Sequence, residues 1–260
     1  MFQTACQDGK AAIGFYRAAS HTVCPVSHCL LLRNELNDAL AKLWHNPPAE
    51  GPITVRVGSG CEDVVGCQLV EEELDGLVFQ ISRASFFQVN YGAALLLYRK
   101  AREYAALSLE DVLVDIYCGV GSLTLFIGRD AGLALGVESN PVAVEDALAN
   151  ARRNKLSNVR FDCADAAKWD ARIEKPACVV VDPPRRGLSA GAARKIQELS
   201  PERIVYISCD PATLARDIKR LTDYEAQRIS VFDMFPRTAN VECCLLLIRK
   251  ERRHYVSLPY

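Results

Sequence analysis

What the chain lacks narrows its class first. It has no charge excess: 31 Lys and Arg against 32 Asp and Glu leave a formal net charge of -1 over 260 residues. A surface basic all over, of the kind that advertises nucleic-acid binding, is excluded, so any such contact must come from a local patch. No uncharged apolar run approaches the ~20 residues needed to cross a bilayer, and no membrane partner is expected. Repeats and low-complexity segments are missing as well. The first residues do not form a secretory leader, because Gln3, Gln7, Asp8 and Lys10 interrupt them. Eleven cysteines are present. An odd count in a long chain without a leader points to reduced thiols in a cytoplasm, not to a disulfide framework.

What is present divides in two. Residues 1–82 carry short strand-like runs, AIGFY, HTVCPV, ITVRVG, VVGCQLV and LVFQIS, with one short helix whose Leu36, Leu40, Leu43 and Trp44 share a face. The last three runs suggest a small meander, with a turn near Ser59 and Gly60 and an acidic turn from Glu71 to Asp75. From residue 83 the pattern changes. FFQVN leads into a helix from Tyr91 to about Leu107, and strands then alternate with helices as in a parallel, doubly wound α/β sheet. The strands expected are Val112–Tyr117, Leu133–Glu138, Val159–Asp162, Cys178–Asp182 and Arg203–Ser208. Two closing strands, Arg228–Met234 and Val241–Arg249, are joined by a short loop without a helix, so they must be antiparallel.

In such a sheet ligands bind beyond the carboxyl ends of the strands. Polar residues interrupt the apolar strands there: Asp115 with the CGVG turn, Glu138, Asp165, Asp182 with its Pro-Pro-Arg-Arg, and Cys209. The last strand runs the other way, so its beginning, at Glu242, shares their rim. Gly119-Val120-Gly121 between strand and helix lets a backbone approach a ligand, and Glu138 can accept from ribose hydroxyls. Ser122, Leu123 and Thr124 stand where a dinucleotide fingerprint has its third glycine. That tilts the ligand toward S-adenosylmethionine, which has no pyrophosphate; a tight turn without a ligand is the lesser alternative for the glycines. Pro183 and Pro184 end their strand and stiffen the support of Arg185 and Arg186. Cys209 sits at a strand-to-helix turn, with Asp210 as cap and Pro211 at the first helical position, where the helix end can favour a thiolate. Taken alone, it is better explained as a small buried hydrophobe.

Together, FFQVN (86–90), DIYCGVGSLTL (115–125), VVVDPPRRG (179–187), YISCDPATLARD (206–217) and DMFPRTANVEC (233–243) resemble, in order and spacing, the 5-methyluridine RNA methyltransferases, in particular the branch acting on 23S ribosomal RNA. The resemblance covers roughly residues 12–249. It implies a Rossmann-like, mostly parallel methyltransferase sheet from residue 83 with its last strand antiparallel, and a small strand-rich subdomain, 1–82, that contacts RNA. It implies Cys209 as nucleophile and Glu242 as base, with Gln88, Tyr117, Ser122, Glu138, Asp165 and Asp182 lining the S-adenosylmethionine site. The expected product is RNA methylated at carbon 5 of a uridine, ribosomal RNA before transfer RNA and not DNA, through a covalent cysteine adduct.

Departures from that family pattern are visible. An N-terminal TRAM barrel and an upstream iron-sulfur cysteine group have no counterpart in this sequence, so no metal is expected and Cys29 is expected to be a core thiol. Arg237 stands where histidine is common, and Asp210 where asparagine is common. Asp210 would oppose thiolate formation unless it is consumed in capping the helix. Two other classes stay open: a truncated relative that binds RNA without turnover, and a nucleotide-binding oxidoreductase suggested by the glycine turn.

Overall fold

The computed structural model describes residues 2–7, 9–17, 20–30, 32–53, 55, 69–83, 85–88, 90–170, 173, 175–238 and 240–250. Tertiary contacts divide them into two compact units: residues up to Glu73 with Gln80–Arg83, and Leu74–Phe79 with the residues after Arg83.

The first unit is built on β1 (Phe2–Gln7), β2 (Lys10–Tyr16), β3 (Val23–Pro25), α1 (Asn34–His45) and β4 (Gly51–Ile53). These strands form an antiparallel sheet in the order β3-β2-β1-β4. Phe2, Ile13 and Ile53 from the sheet bury against Leu40 and Leu43 of α1. That is the helix face expected from the spacing of its leucines. The opening strand β1 was hidden by its polar residues. Alternation explains it: Phe2 and Thr4 are buried, while Gln3, Ala5 and Gln7 are only partly so.

The expected meander is not what forms. β4 pairs with β1, whereas β5 (Leu69–Leu74) and β6 (Leu77–Ser82) make a separate two-stranded sheet. Most of ITVRVG and VVGCQLV, with the turn near Ser59 and Gly60, lies outside the described residues. Glu71, Glu72 and Glu73 belong to strand β5 and not to a turn. The reversal comes later, at Asp75 and Gly76, both at positive φ. Carboxylates are tolerated in β5 because Glu73 is exposed and Glu72 faces Arg33 at 3.7 Å. Cys29 is half-buried in the loop before α1, not a core thiol; its N–H donates to Asn37 Oδ1 at 2.8 Å.

The second unit continues with α2 (Tyr91–Ala105), β7 (Val112–Ile116), α3 (Ser122–Gly128), β8 (Leu133–Glu138), α4 (Pro141–Arg153), β9 (Val159–Cys163), β10 (Cys178–Val181), α5 (Ala190–Leu199), β11 (Arg203–Ser208), α6 (Pro211–Ile218), β12 (Tyr224–Phe232) and β13 (Glu242–Arg249). Its seven-stranded sheet has the order β12-β13-β11-β10-β7-β8-β9. β13 is antiparallel to both neighbours, and the other pairings are parallel. The central strands are apolar throughout because both faces are covered: CVVV of β10 is wholly buried. β12 begins at Tyr224, before the expected Arg228. Its residues 225–228 are exposed on an edge strand, where apolar alternation gives no signal.

Helix starts follow their caps. Asn140 Oδ1 accepts from Val142 N with Pro141 first in α4, and Ser189 and Asp210 cap α5 and α6 in the same manner. Among the described residues no helix is long and apolar enough to cross a membrane.

Candidate active site

Strand order decides which loops become neighbours. Going across β13, β11, β10, β7, β8 and β9, the rim carries Glu242, Cys209, Asp182, Tyr117, Glu138 and then Asp165 just past β9. Adjacent strands lie about 4.8 Å apart, so these residues follow one another along the same rim. The pairing on the nucleophile side is specific: Ser208 of β11 is opposite Cys243 of β13, which brings the following residue, Cys209, level with Glu242.

The charges at that end act on one another. Glu242 is 6% exposed, and burial lifts its carboxyl to about 7, with the Arg185 guanidinium pulling the other way. Asp182 is lifted to about 8 by burial, with the charges of Glu242 and Asp115 adding. Cys209 is partly exposed. Its thiol is raised by burial and by Glu242 and Asp182, against the opposing pull of Arg185. The charges at this rim therefore act on the Cys209 thiol against the pull expected of the helix end. Asp210 is consumed in capping, since Thr213 N donates to its Oδ1 at 2.8 Å, and that bond holds its carboxyl below the usual range. Arg185 is placed over this corner by a hydrogen bond to Asn240 Oδ1 at 3.3 Å.

The glycine turn forms the other end. Gly119 and Gly121 both have positive φ, and a Cβ added at Gly119 would meet nothing within 4 Å among the described residues. Gly121 is required on steric grounds, because a Cβ there would come within 2.7 Å of the Phe161 ring. Tyr117 also has positive φ, a strained setting for a side-chain-bearing residue that turns its N–H and that of Cys118 onto Val137 O. Glu138 Oε2 accepts from Gly119 N at 3.2 Å and Oε1 from Asn140 N at 2.8 Å, locking the acid beside the turn. Asp165 is exposed, and its Oδ1 accepts from Ala167 N at 2.8 Å.

Two expected residues stand apart from this line. Ser122 opens α3 and shares a 2.8 Å hydrogen bond with Tyr98 of α2. Gln88 is half-buried in the loop before Asn90. Asn90 caps α2 and donates to Met234 O at 3.0 Å, which draws the Gln88 loop toward the segment before β13.

Asp115 lies beneath the glycine turn, 0% exposed, with Thr124 Oγ1 donating to its Oδ2 at 2.5 Å. Its Oδ1 has no partner among the described residues, and burial lifts the carboxyl to about 7. Asp217 was missed by sequence reasoning. It is fully buried on α6 one turn from Leu214, and the signal for it was a carboxylate on the apolar stripe of a short amphipathic helix.

A family model described as tRNA (Uracil-5-)-methyltransferase matches residues 65–250. The chain belongs to that family. Within it, an uncharacterized RNA methyltransferase of Oceanobacillus iheyensis is 40% identical over 202 residues, 75% of this chain and 44% of that protein. A second, from Geobacter sulfurreducens, is 42% identical over 189 residues, 70% of this chain and 38% of that protein. The chain thus spans less than half the length of these curated relatives. Among solved structures, the Pyrococcus abyssi tRNA (uracil-54, C5)-methyltransferase in complex with S-adenosyl-L-homocysteine superimposes with a TM-score of 0.76 at 25% identity, covering 95% of this chain and 75% of that one.

Proposed function

We propose that this chain transfers a methyl group from S-adenosylmethionine to carbon 5 of a uridine in RNA, with Cys209 as nucleophile and Glu242 as base. The observation that carries the reading is the β11–β13 register, which sets a thiol and a buried carboxylate side by side at the end of the sheet. A nucleotide-binding oxidoreductase is less well supported, since Ser122, Leu123 and Thr124 stand where a dinucleotide fingerprint has its third glycine.

The residues around the glycine turn suit the cofactor. Open space in front of Gly119 admits a ligand backbone, Glu138 is fixed for ribose hydroxyls, and Asp115 offers a buried, unpartnered oxygen of the kind a cationic amino group satisfies. Tyr117, Ser122, Asp165, Asp182 and Gln88 complete the proposed lining. S-adenosylmethionine, when bound, supplies a methyl group on a cationic sulfur that departs as a neutral thioether.

Carbon 5 of an intact uracil is a weak nucleophile. Addition of the Cys209 thiolate to carbon 6 makes the ring an enolate whose electron pair at carbon 5 forms the new bond to the methyl carbon. Glu242 then takes the proton from carbon 5, the carbon 5–carbon 6 double bond reforms, and the thiolate leaves. A carboxyl near 7 is matched to that task at neutral pH. The uracil must be reached from both faces, so a flipped or unpaired uridine is expected. The subdomain 1–82 and the exposed Arg185, Arg186 and Arg237 are proposed to hold the RNA. The spelling of the motifs favours 23S ribosomal RNA; the Pyrococcus abyssi tRNA (uracil-54, C5)-methyltransferase makes transfer RNA the comparison.

The test is covalent trapping. RNA with 5-fluorouridine at the target should form a denaturation-resistant adduct in the presence of S-adenosylmethionine, because fluorine cannot be removed by Glu242, and Cys209→Ala should form none. Ribosomal and transfer RNA fragments offered in parallel rank the two substrates. Binding of both ligands with no adduct and no labelled methyl transfer would instead indicate a binding protein.

A further inference from the structure

A buried carboxylate outside the proposed chemistry sits at the junction of two loops that carry it. Asp217, on α6 and 0% exposed, accepts Leu188 N at 2.7 Å and Tyr206 OH at 2.8 Å on Oδ2. Its Oδ1 accepts Arg216 Nε at 3.0 Å and Arg220 Nη1 at 3.1 Å. Both guanidiniums reach on into the same turn: Arg216 Nη2 donates to Arg186 O at 2.6 Å and Arg220 Nη1 to Leu188 O at 2.7 Å. The turn is closed by Gly187 N donating to Pro184 O at 2.7 Å, and Gly187 (φ +73) is pressed so closely that a Cβ would lie 2.2 Å from Asp217 Oδ2.

The connectivity gives the arrangement its meaning. Tyr206 is in β11, three residues before Cys209, and Asp217 is in the helix that begins two residues after it. The Pro-Pro-Arg-Arg-Gly turn carries Asp182 at its start and Arg185 in its middle. Thr213 Oγ1, also on α6, adds a bond to Arg185 O at 3.2 Å. A side chain held only by exposed loop backbone would wander; this backbone is anchored from beneath by a buried carboxylate paired with two partly exposed guanidiniums, a network that fixes geometry when every member is satisfied.

We propose that Asp217 is a positioning residue, clamping the Pro184–Leu188 turn to the strand and helix on either side of Cys209 and so setting where Arg185 stands relative to the thiol and Glu242. This rests on the methyltransferase reading above. Among the described residues Asp217 makes no hydrogen bond to the glycine turn or Glu138, although its charge reaches Tyr117, so its loss acts first on thiol addition and leaves cofactor affinity largely intact. Replacement by asparagine keeps the shape but turns an amide toward two guanidiniums, releasing Arg216 and Arg220 from the turn.

The experiment compares the 260-residue chain with Asp217→Asn, Gly187→Ala and a control core truncation on α4, Val144→Ala. Three quantities are measured below all melting transitions: affinity for S-adenosylhomocysteine, affinity for a target RNA fragment, and the first-order rate of 5-fluorouridine trapping at saturation. Misplacement of a catalytic loop by about 1 Å is worth on the order of 100-fold in rate. Asp217→Asn and Gly187→Ala should therefore trap on the order of 100-fold more slowly while both affinities stay within about threefold. Val144→Ala should trap like the parent. Trapping by Asp217→Asn at the parental rate overturns the proposal. So does a loss of S-adenosylhomocysteine affinity in proportion to the loss of rate, which marks a merely structural role. If Asp217→Asn does not fold, Gly187→Ala and Tyr206→Phe decide the matter on the same readouts. Absence of trapping by the parent protein would sink the methyltransferase reading itself, whatever the variants do.

Discussion

Burial raises the proton affinity of both Cys209 and Glu242, and the charge of Glu242 raises that of Cys209 further. Burial is the larger cause for both, and Arg185 is the counterweight. Both must lose a proton to act, and both hold it more tightly than usual. The acidic limb of turnover is therefore displaced upward: rates should climb with pH through about 7, the value set for Glu242, and go on climbing as the thiol ionises. Trapping of 5-fluorouridine needs only the thiolate, so its profile should lack the Glu242 limb. Glu242→Gln separates the steps further. It should still form the adduct, retain it on ordinary uridine because the carbon 5 proton has no acceptor, and turn over at least about 100-fold more slowly, as expected for loss of a general base. Denaturing gels with labelled RNA check the adduct, and loss of the adduct along with turnover would contradict this division of labour.

At the scale of elements, the strand–turn–helix around Cys209 depends on a cap. Asp210 supplies the acceptor for Thr213 N and its Thr213 side chain partner is tied to Arg185 O. Asp210→Ala should lower stability by about 1 kcal/mol, the usual worth of an N-cap. The cap holds the Asp210 charge on Thr213 N, so the pH at half-maximal trapping should stay at the parental value even as the melting temperature falls. Asp210→Asn keeps the acceptor and should change neither. Thermal melts and pH-dependent trapping rates on the three proteins test this. A downward shift in both variants would show that the cap charge reaches the thiol.

On the scale of the molecule, charge is balanced overall, with a net -1, yet Arg185, Arg186 and Arg237 are exposed beside the proposed catalytic rim. Under the RNA reading, affinity should fall with salt at a shallow slope, roughly -0.7 per phosphate neutralised on a single strand. Arg186→Ala and Arg237→Ala should each flatten it by about that amount without altering S-adenosylhomocysteine binding. Titrations over a range of salt concentrations decide the point, and an unchanged slope would remove these arginines from the interface.

The sequence by itself determined the order of elements in the second unit, because apolar runs buried on both faces and caps such as Asn140-Pro141 are local signals. It also determined which strand ends carry polar residues, since an acid that breaks an apolar strand is visible without any partner. It could not determine β1, the true position of the turn after Glu73, or the extent of β12. In those places alternation is masked by polar residues on half-exposed strands, and burial is decided by what packs against them. Only the tertiary structure decided that Cys209 comes level with Glu242, which depends on the register of two strands far apart in the chain. It alone showed that Asp217 belongs to that corner, because a buried carboxylate acquires its role from donors on other segments, and no spacing along one helix records where those donors will be.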